Sequence, residues 1–200
     1  MNLGIATICM LIPILLLSIV SFAIIIERTL FFYNETKTKQ RQFTQLKNFL
    51  LDKQVQCAAE FCQTNSSSFL KIVSVLFLHH DMGFEFCTNK MRAVALVETN
   101  KIKGGVKTLG TIAHVAPLLG LLGTVTGNIK AFGLLGEGIQ DYSKLALAIG
   151  EALYTTAFGM VVAIFAIIFY NYFVSRIERF MVTIESDIEE LRYLLDTLQG

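Results

Sequence analysis

Two threonines and one glutamate stand in long apolar stretches of this sequence, where polar groups are costly. They are Thr124, Glu151 and Thr156. A carboxyl group inside a membrane marks an ion path by default, whereas a threonine only hydrogen-bonds water, an ion or another side chain. The set therefore predicts an ion pathway whose titrating group at mid-membrane comes from a partner. A glutamate that is hydrated at a helix end, or paired with Lys144 or Lys130, is the alternative interpretation.

Each threonine belongs to a stripe of small residues at steps of three and four, which share one helix face. In lipid such stripes let helix backbones approach closely, because packing rather than hydrophobic transfer joins helices there. They are compatible with plain helix packing or with the lining of a pore, and depth favours the pore. At about 1.5 Å per residue, the two threonines lie about 14 and 18 Å below the same end of an antiparallel hairpin. The stripes are Ala113, Pro117, Gly120, Thr124, Gly127, Ala131 and Ala148, Ala152, Thr156, Gly159, Ala163, Ala166.

The sequence contains no strong residue pattern for enzymatic catalysis or for metal binding. The four cysteines form no CxxC pair and match no zinc framework. A metal cluster of Cys57, Cys62, His79 and His80 is conceivable, but reduced thiols on helices are the favoured interpretation. We therefore expect no metal, no cofactor and no enzymatic activity. A net charge of +1 provides no field that attracts polyanions, so nucleic acid is not expected as a partner.

The elements that carry these residues are three apolar runs. The chain is 54% hydrophobic and only 16% charged, where soluble domains are about one quarter charged. The runs extend from Leu3 to Ile26, from Thr108 to Ile129 and from Leu145 to Val174. The first reaches roughly 36 Å, more than the hydrocarbon core of about 30 Å. It lacks the basic flank of a signal peptide, which favours a retained anchor. We predict an all-α polytopic membrane protein with three transmembrane helices.

Lysine and arginine predict the orientation, because short cytoplasmic flanks attract positive charge. Most of them lie between Glu27 and Lys107 and in the tail, and few lie near the Gly133–Gly138 connection. The N-terminus is therefore expected in the periplasm. In the middle segment, residues 65–68 predict a break with a helix N-cap, and the apolar run Phe69–Leu78 is too short to span. The expected regions are transmembrane helix 1 (1–26), a cytoplasmic helical region (27–105), a pore-forming hairpin of helices 2 and 3 that extends into a cytoplasmic helical bundle (106–175), and a cytoplasmic amphipathic tail (176–200).

Two segments resemble the MotA/TolQ/ExbB proton channel family. Residues Leu109–Gly127, LGTIAHVAPLLGLLGTVTG, resemble its second-span motif. Residues Ala148–Gly159, AIGEALYTTAFG, resemble its third-span motif, and Tyr170-Asn171 follows as that motif implies. The match covers roughly residues 85 to 175. Three spans with a periplasmic N-terminus are similar to the TolQ/ExbB branch rather than to a four-span MotA stator.

The resemblance implies a homopentamer in the lipid of the bacterial inner membrane. Its pore threonines would be Thr124 and Thr156, with Glu151 as the third-span glutamate. Two copies of an ExbD/TolR-type single-span subunit, each with a membrane Asp, would occupy the pore. The proton-motive force would drive movement that is relayed to a TonB- or TolA-type coupling protein.

The implied function is the pore-forming subunit of a proton-driven energy-transducing motor of ExbB type, which energises TonB-dependent outer-membrane transport. A TolQ-type subunit for envelope integrity and a non-conducting membrane scaffold are the alternatives. His114, Thr126, Asn128 and Lys130 depart from the family's pattern and leave the coupled ion, proton or sodium, and the subfamily open. We expect His114 to be a hydrogen-bonded packing residue.

Overall fold

The computed structural model describes residues 5–65, 67–79, 84–136 and 142–199. All five of its elements are α-helices, and α1, α4 and α5 are long and apolar enough to cross a membrane. This confirms the predicted all-helical membrane protein with three candidate spans. The Gly133–Gly138 connection lies in part outside the described residues. The helices are α1 (Ile5–Leu51), α2 (Val55–Thr64), α3 (Ser68–Leu78), α4 (Phe84–Gly136) and α5 (Tyr142–Gln199).

The first and third spans continue into longer helices than the apolar runs alone indicate. The helix that contains the first run continues without a break to Leu51, and the tail continues the third span to Gln199. Neither residues 27–51 nor residues 175–199 contain a glycine or a proline, which are the residues that most strongly end a helix. Polar composition ends the apolar run at these points but does not end the helix.

The chain divides into two compact units. Unit 1 comprises the described residues up to Glu27 together with Gly105–Phe173. Unit 2 comprises Arg28–Gly104 and the described residues from Val174 onward. Each of the three long helices contributes one segment to each unit, whereas α2 and α3 belong to unit 2 alone.

The short helix α3 forms much of the core of unit 2. Ser67 is its N-cap, with a side chain that accepts a hydrogen bond from the Leu70 backbone N–H at 3.3 Å, as the serine-rich break predicts. The apolar run that is too short to span packs inside this unit instead. Its buried residues are Phe69, Leu70, Ile72, Val73, Val75 and Leu76.

A buried ion pair also holds unit 2 together. Lys39 of α1 lies 2.5 Å from the Asp187 carboxylate of α5, and the two side chains are only 8% and 16% exposed. The Lys39 ammonium also lies 5.9 Å from the centre of the Phe69 ring, within the range of a cation–π contact. The pair therefore joins α1 to α5 beside the core helix α3.

Replacement of Asp187 by alanine is expected to destabilise unit 2 by about 3–5 kcal/mol, because it leaves the Lys39 ammonium buried without its partner. The double variant Lys39→Met/Asp187→Leu removes both charges and is expected to be close to neutral or stabilising. Hydrogen exchange of the unit 2 amides measures both. An equal loss of protection in the single and double variants would contradict this account.

Candidate ion pathway in the α4–α5 hairpin

The backbones of α4 and α5 approach closely along a ladder of glycines in unit 1. A Cβ atom placed on Gly120 would lie 3.0 Å from the Thr156 Cα, and one on Gly159 would lie 2.6 Å from the Ala116 carbonyl oxygen. Further along, Gly127 faces Ala152. Contacts that lie further toward the C-terminus of α4 lie further toward the N-terminus of α5. The hairpin is therefore antiparallel, as its short connection predicts.

Most of the small residues of both predicted stripes are buried in unit 1. Gly120, Gly159 and the alanines at 113, 131, 148, 152, 163 and 166 are buried, whereas Pro117, Thr124, Gly127 and Thr156 are half-buried. Within one chain the stripes therefore pack α4 against α5. The assignment of the stripes to a pore lining stays a prediction, and it depends on the residues that are only half-buried.

The Thr156 hydroxyl joins the two helices. Its Oγ1 donates a hydrogen bond to the Gly120 carbonyl oxygen at 2.6 Å, across 36 residues of sequence. Thr124 is one helical turn from Gly120, and its Oγ1 donates to the Leu121 carbonyl oxygen of its own helix at 2.7 Å. The structure therefore brings both threonines to neighbouring levels of the hairpin, in agreement with the depth argument.

Glu151 is also part of the hairpin. Its side chain is 8% exposed, and it precedes Ala152, whose side chain meets Gly127. Along α5, Glu151 lies five residues, or about 7.5 Å, from Thr156. Two hydroxyl groups and one buried carboxyl therefore share a short stretch of the hairpin, which can hold water or an ion by hydrogen bonds.

The sequence patterns missed Thr155 and Gly123. Thr155 is 1% exposed, its Oγ1 donates to the Ala152 carbonyl oxygen at 2.7 Å, and its side chain fills the space opposite Gly123. The spacing of Gly120, Gly123 and Gly127 by three and four residues carried a signal for this contact. The adjacent positions of Thr155 and Thr156 carried no such signal, because the rotation and offset of α5 against α4 decide which α4 residue each of them meets.

His114 and Lys130 are exposed in the single chain. The expected packing role of His114 is therefore not met by contacts within this chain. Asn128 is exposed as well, whereas Thr126 is half-buried and donates to the Leu122 and Gly123 carbonyl oxygens at 3.0 Å each. These departures from the family's pattern lie outside the buried α4–α5 contact.

Two cysteines of unit 2, Cys62 and Cys87, are buried thiols, whereas Cys57 is exposed. Burial raises the pKa of Cys62 to about 12, and burial also raises the pKa of Cys87. Both groups are therefore protonated near neutral pH, whereas a metal binds the thiolate. His80 of the conceivable cluster lies outside the described residues. Among the residues that the structure describes, no three His, Cys, Asp or Glu side chains are placed to hold a metal ion.

A groove of about 420 Å³ lies between α3, α4 and α5 in unit 2. Its apolar lining includes Ile72, Met91 and Met181, and Arg92 and Glu189 lie among its charged residues. None of the predicted pathway residues contributes to it. The candidate pathway is therefore a helix surface of unit 1 and is distinct from this groove.

Comparison with known proteins identifies the family. Residues 58–186 match the family model of the MotA/TolQ/ExbB proton channels. The biopolymer transport protein ExbB of Salmonella typhimurium is 30% identical over 186 residues, which are 88% of this chain and 76% of that protein. The Tol-Pal system protein TolQ of Pseudomonas aeruginosa is 35% identical over 99 residues, 49% of this chain and 43% of that protein.

A third relative matches more strongly over a shorter stretch. The putative biopolymer transport protein ExbB-like 1 of Synechocystis is 48% identical over 89 residues, 42% of this chain and 35% of that protein. Several relatives are matched over only about a third of their own length, between 31% and 36%. The identity of the family therefore rests on the family model and on the long match to the Salmonella protein.

Replacement of Gly159 by alanine is expected to destabilise the hairpin by about 1–3 kcal/mol, because the new Cβ overlaps the backbone of α4. Gly150→Ala is the matched control on the same helix, since a Cβ there meets nothing within 4 Å. Thermal unfolding of the purified protein in detergent measures both variants. Equal unfolding temperatures for Gly159→Ala and the wild type would show that the helices are not in contact at this level.

Proposed function

The chain belongs to the MotA/TolQ/ExbB proton channel family, and on this basis we propose that it is the pore-forming subunit of a proton-motive-force-driven energy transducer of ExbB type. Membership of the family and three apolar helices indicate a multi-pass membrane channel subunit of the ExbB/TolQ kind.

The observation that carries the proposal is the Thr156 hydrogen bond to the Gly120 carbonyl oxygen. It places a hydroxyl group at the α4–α5 seam, close to the level of Thr124. Since the hydroxyl donates to a fixed carbonyl, its lone pairs stay available to accept a hydrogen bond from water or from a partner's protonated carboxyl. A threonine at this position orients a proton donor but does not store the proton.

The titrating group is therefore assigned to a partner. We propose that this partner is an ExbD- or TolR-type subunit and that a TonB- or TolA-type protein couples the complex to its task, as the family resemblance implies. We propose a homopentamer around two single-span subunits, each with a membrane Asp, in the bacterial inner membrane. The N-terminus and the α4–α5 connection would face the periplasm, and unit 2 would lie in the cytoplasm. The Asp carboxyl would exchange its proton beside Thr124, Glu151 and Thr156.

The relatives include both ExbB and TolQ proteins, so a TolQ-type role in envelope integrity is the second candidate. The ExbB assignment is favoured by coverage, since the Salmonella ExbB match extends over 88% of this chain and the TolQ match over 49%. A non-conducting scaffold is a third candidate. It is favoured by the burial of the small residues within a single hairpin, because such burial alone accounts for the stripes.

Replacement of Thr156 by valine is expected to abolish gradient-dependent activity, because valine keeps the shape of the side chain and removes the hydroxyl group. Thr156→Ser retains the hydroxyl and is expected to keep activity. Thr126→Val is the matched control, since the Thr126 hydroxyl bonds only carbonyls of its own helix among its described contacts. The measurement is proton-gradient-driven activity of the chain reconstituted with its genomic-neighbour partner. Full activity of Thr156→Val in an assembled complex would exclude the pore role and favour the scaffold.

Native mass spectrometry of the detergent-purified chain tests the assembly. We expect a pentamer that captures two copies of a single-span, Asp-bearing partner when the two are co-expressed. The same measurement on Thr156→Val is expected to give the same stoichiometry, which separates assembly from conduction. A monomer or dimer without such a partner would remove the basis for a pore.

A further inference from the structure

Two adjacent threonines of α5 contact α4 in different ways. The Thr156 Oγ1 donates a hydrogen bond to the Gly120 carbonyl oxygen at 2.6 Å. The Thr155 side chain fills the space opposite Gly123, where an added Cβ would overlap its Oγ1 and would lie 2.8 Å from its Cβ. The same short stretch of α5 therefore makes one polar contact and one steric contact with α4.

The two threonine side chains leave α5 in different directions. Successive residues of an α-helix are about 100° apart around its axis, and both side chains are attached to the same rigid backbone. A rotation of α5 about its axis therefore moves Thr155 and Thr156 together. Whatever holds Thr155 against rotation also fixes the direction in which the Thr156 hydroxyl points.

The Thr155 side chain is well held. It is 1% exposed, and Gly123 opposite it is buried as well. Its Oγ1 donates to the Ala152 carbonyl oxygen at 2.7 Å, and a branched Cβ restricts the rotation of a threonine side chain. Turning this side chain out of the space opposite Gly123 would break a buried hydrogen bond, which makes Thr155 a fixed point between the two helices.

Other contacts of the same helices limit their separation more than their rotation. Gly127 meets the Ala152 methyl group, and Gly159 meets the backbone of α4. In both contacts small groups lie flat against each other, and neither inserts a branched side chain into the opposite helix. Thr155 does so, and its contact resists rotation in the way that the flat contacts do not.

A small rotation of α5 is enough to break the Thr156 bond. At the Cα radius of about 2.3 Å, a rotation of about 20° moves an atom by about 0.8 Å, and the hydroxyl moves further because it lies further from the axis. The bond is 2.6 Å long, and a separation of about 3.6 Å is no longer a hydrogen bond. Gly120 has no side chain that could hold the hydroxyl in place.

We propose that Thr155 is a positioning residue, whose side chain in the space opposite Gly123 sets the rotation of α5 and so aims the Thr156 hydroxyl at the Gly120 carbonyl oxygen. Thr155 is buried in the chain, so it acts through Thr156 and does not touch a partner. The consequence for activity rests on the proposed function, in which the Thr156 hydroxyl meets the partner's carboxyl. The direction of that hydroxyl does not depend on it.

The test is solid-state NMR of the full chain in lipid bilayers. Labels of ¹³C on glycine carbonyls and ¹⁵N on leucine select glycines followed directly by leucine, which are Gly120 and Gly133. Thr156→Val is expected to move one of the two carbonyl signals upfield, because it removes a hydrogen bond from the Gly120 oxygen. This shift identifies the Gly120 signal, and the Gly133 signal serves as an internal reference.

Thr155→Ala is expected to move the Gly120 signal in the same direction, because the emptied space lets α5 rotate. Thr155→Ser keeps the hydroxyl and is expected to leave the signal near its wild-type position. Thr111→Ala is the matched control, since Thr111 is exposed and bonds a carbonyl of its own helix, and it is expected to change nothing. Gradient-driven activity of Thr155→Ala with the partner is expected to fall at least about tenfold, since misplacement by about 1 Å is costly.

A Thr155→Ala variant with a lower unfolding temperature but an unmoved Gly120 signal would overturn the positioning role and leave only packing. An unmoved signal in Thr156→Val would overturn it too, because Thr156 would then not bond Gly120 at all. A Thr155→Ala variant that moves the signal and keeps full activity would support the positioning role and count against the proposed function of Thr156.

Discussion

The close approach of the α4 and α5 backbones is the constraint on which the structure of unit 1 depends. In lipid, apolar side chains gain little by leaving one apolar surface for another, so helices associate through packing and interhelical hydrogen bonds. Gly120 and Gly159 provide the necessary space, because each lies against the backbone of the opposite helix. The Thr156 hydroxyl bond to the Gly120 carbonyl oxygen is possible only at this separation. The glycines and the threonine therefore act together to join α4 to α5.

Unit 2 is held together by a different balance of forces. Its core is apolar around α3, but a little-exposed charged pair, Lys39 with Asp187, joins α1 to α5 beside that helix. Buried pairs of this kind contribute specificity more than net stability, because desolvation offsets much of the Coulomb attraction. The chain thus combines a tightly packed hairpin with a helical unit that has a charged pair beside its apolar core.

A tightly packed hairpin suits a subunit that must stay in place while a partner moves. In the proposed motor the hairpin presents fixed hydroxyl groups to a titrating carboxyl, and the movement takes place in the partner. Energy is then converted by changes in the partner's charge state, while the pore subunit keeps its own geometry.

Much of this was predictable from the sequence because it depends on local patterns. Residue type and spacing were enough to predict the three apolar runs, the break before Ser68 and the short apolar helix that follows it. So were the small-residue stripes and the shared level of Thr124 and Thr156, since the rise of a helix is constant. The continuation of α1 to Leu51 was also open to prediction, because no residue there ends a helix, but the end of the apolar run obscured it.

Other features were decided only by the tertiary structure. The helix register, which no local pattern specifies, placed Thr155 opposite Gly123 and Thr156 at the carbonyl of Gly120. The same holds for Ser68 and Glu98, which are 30 residues apart in sequence and meet in a 3.1 Å hydrogen bond only because α3 and α4 pack together. Sequence alone determined which elements form and which faces they bury. The side-chain pairings required the fold, because a contact between distant helices depends on their rotation and offset, and both are set by the sum of all packing contacts.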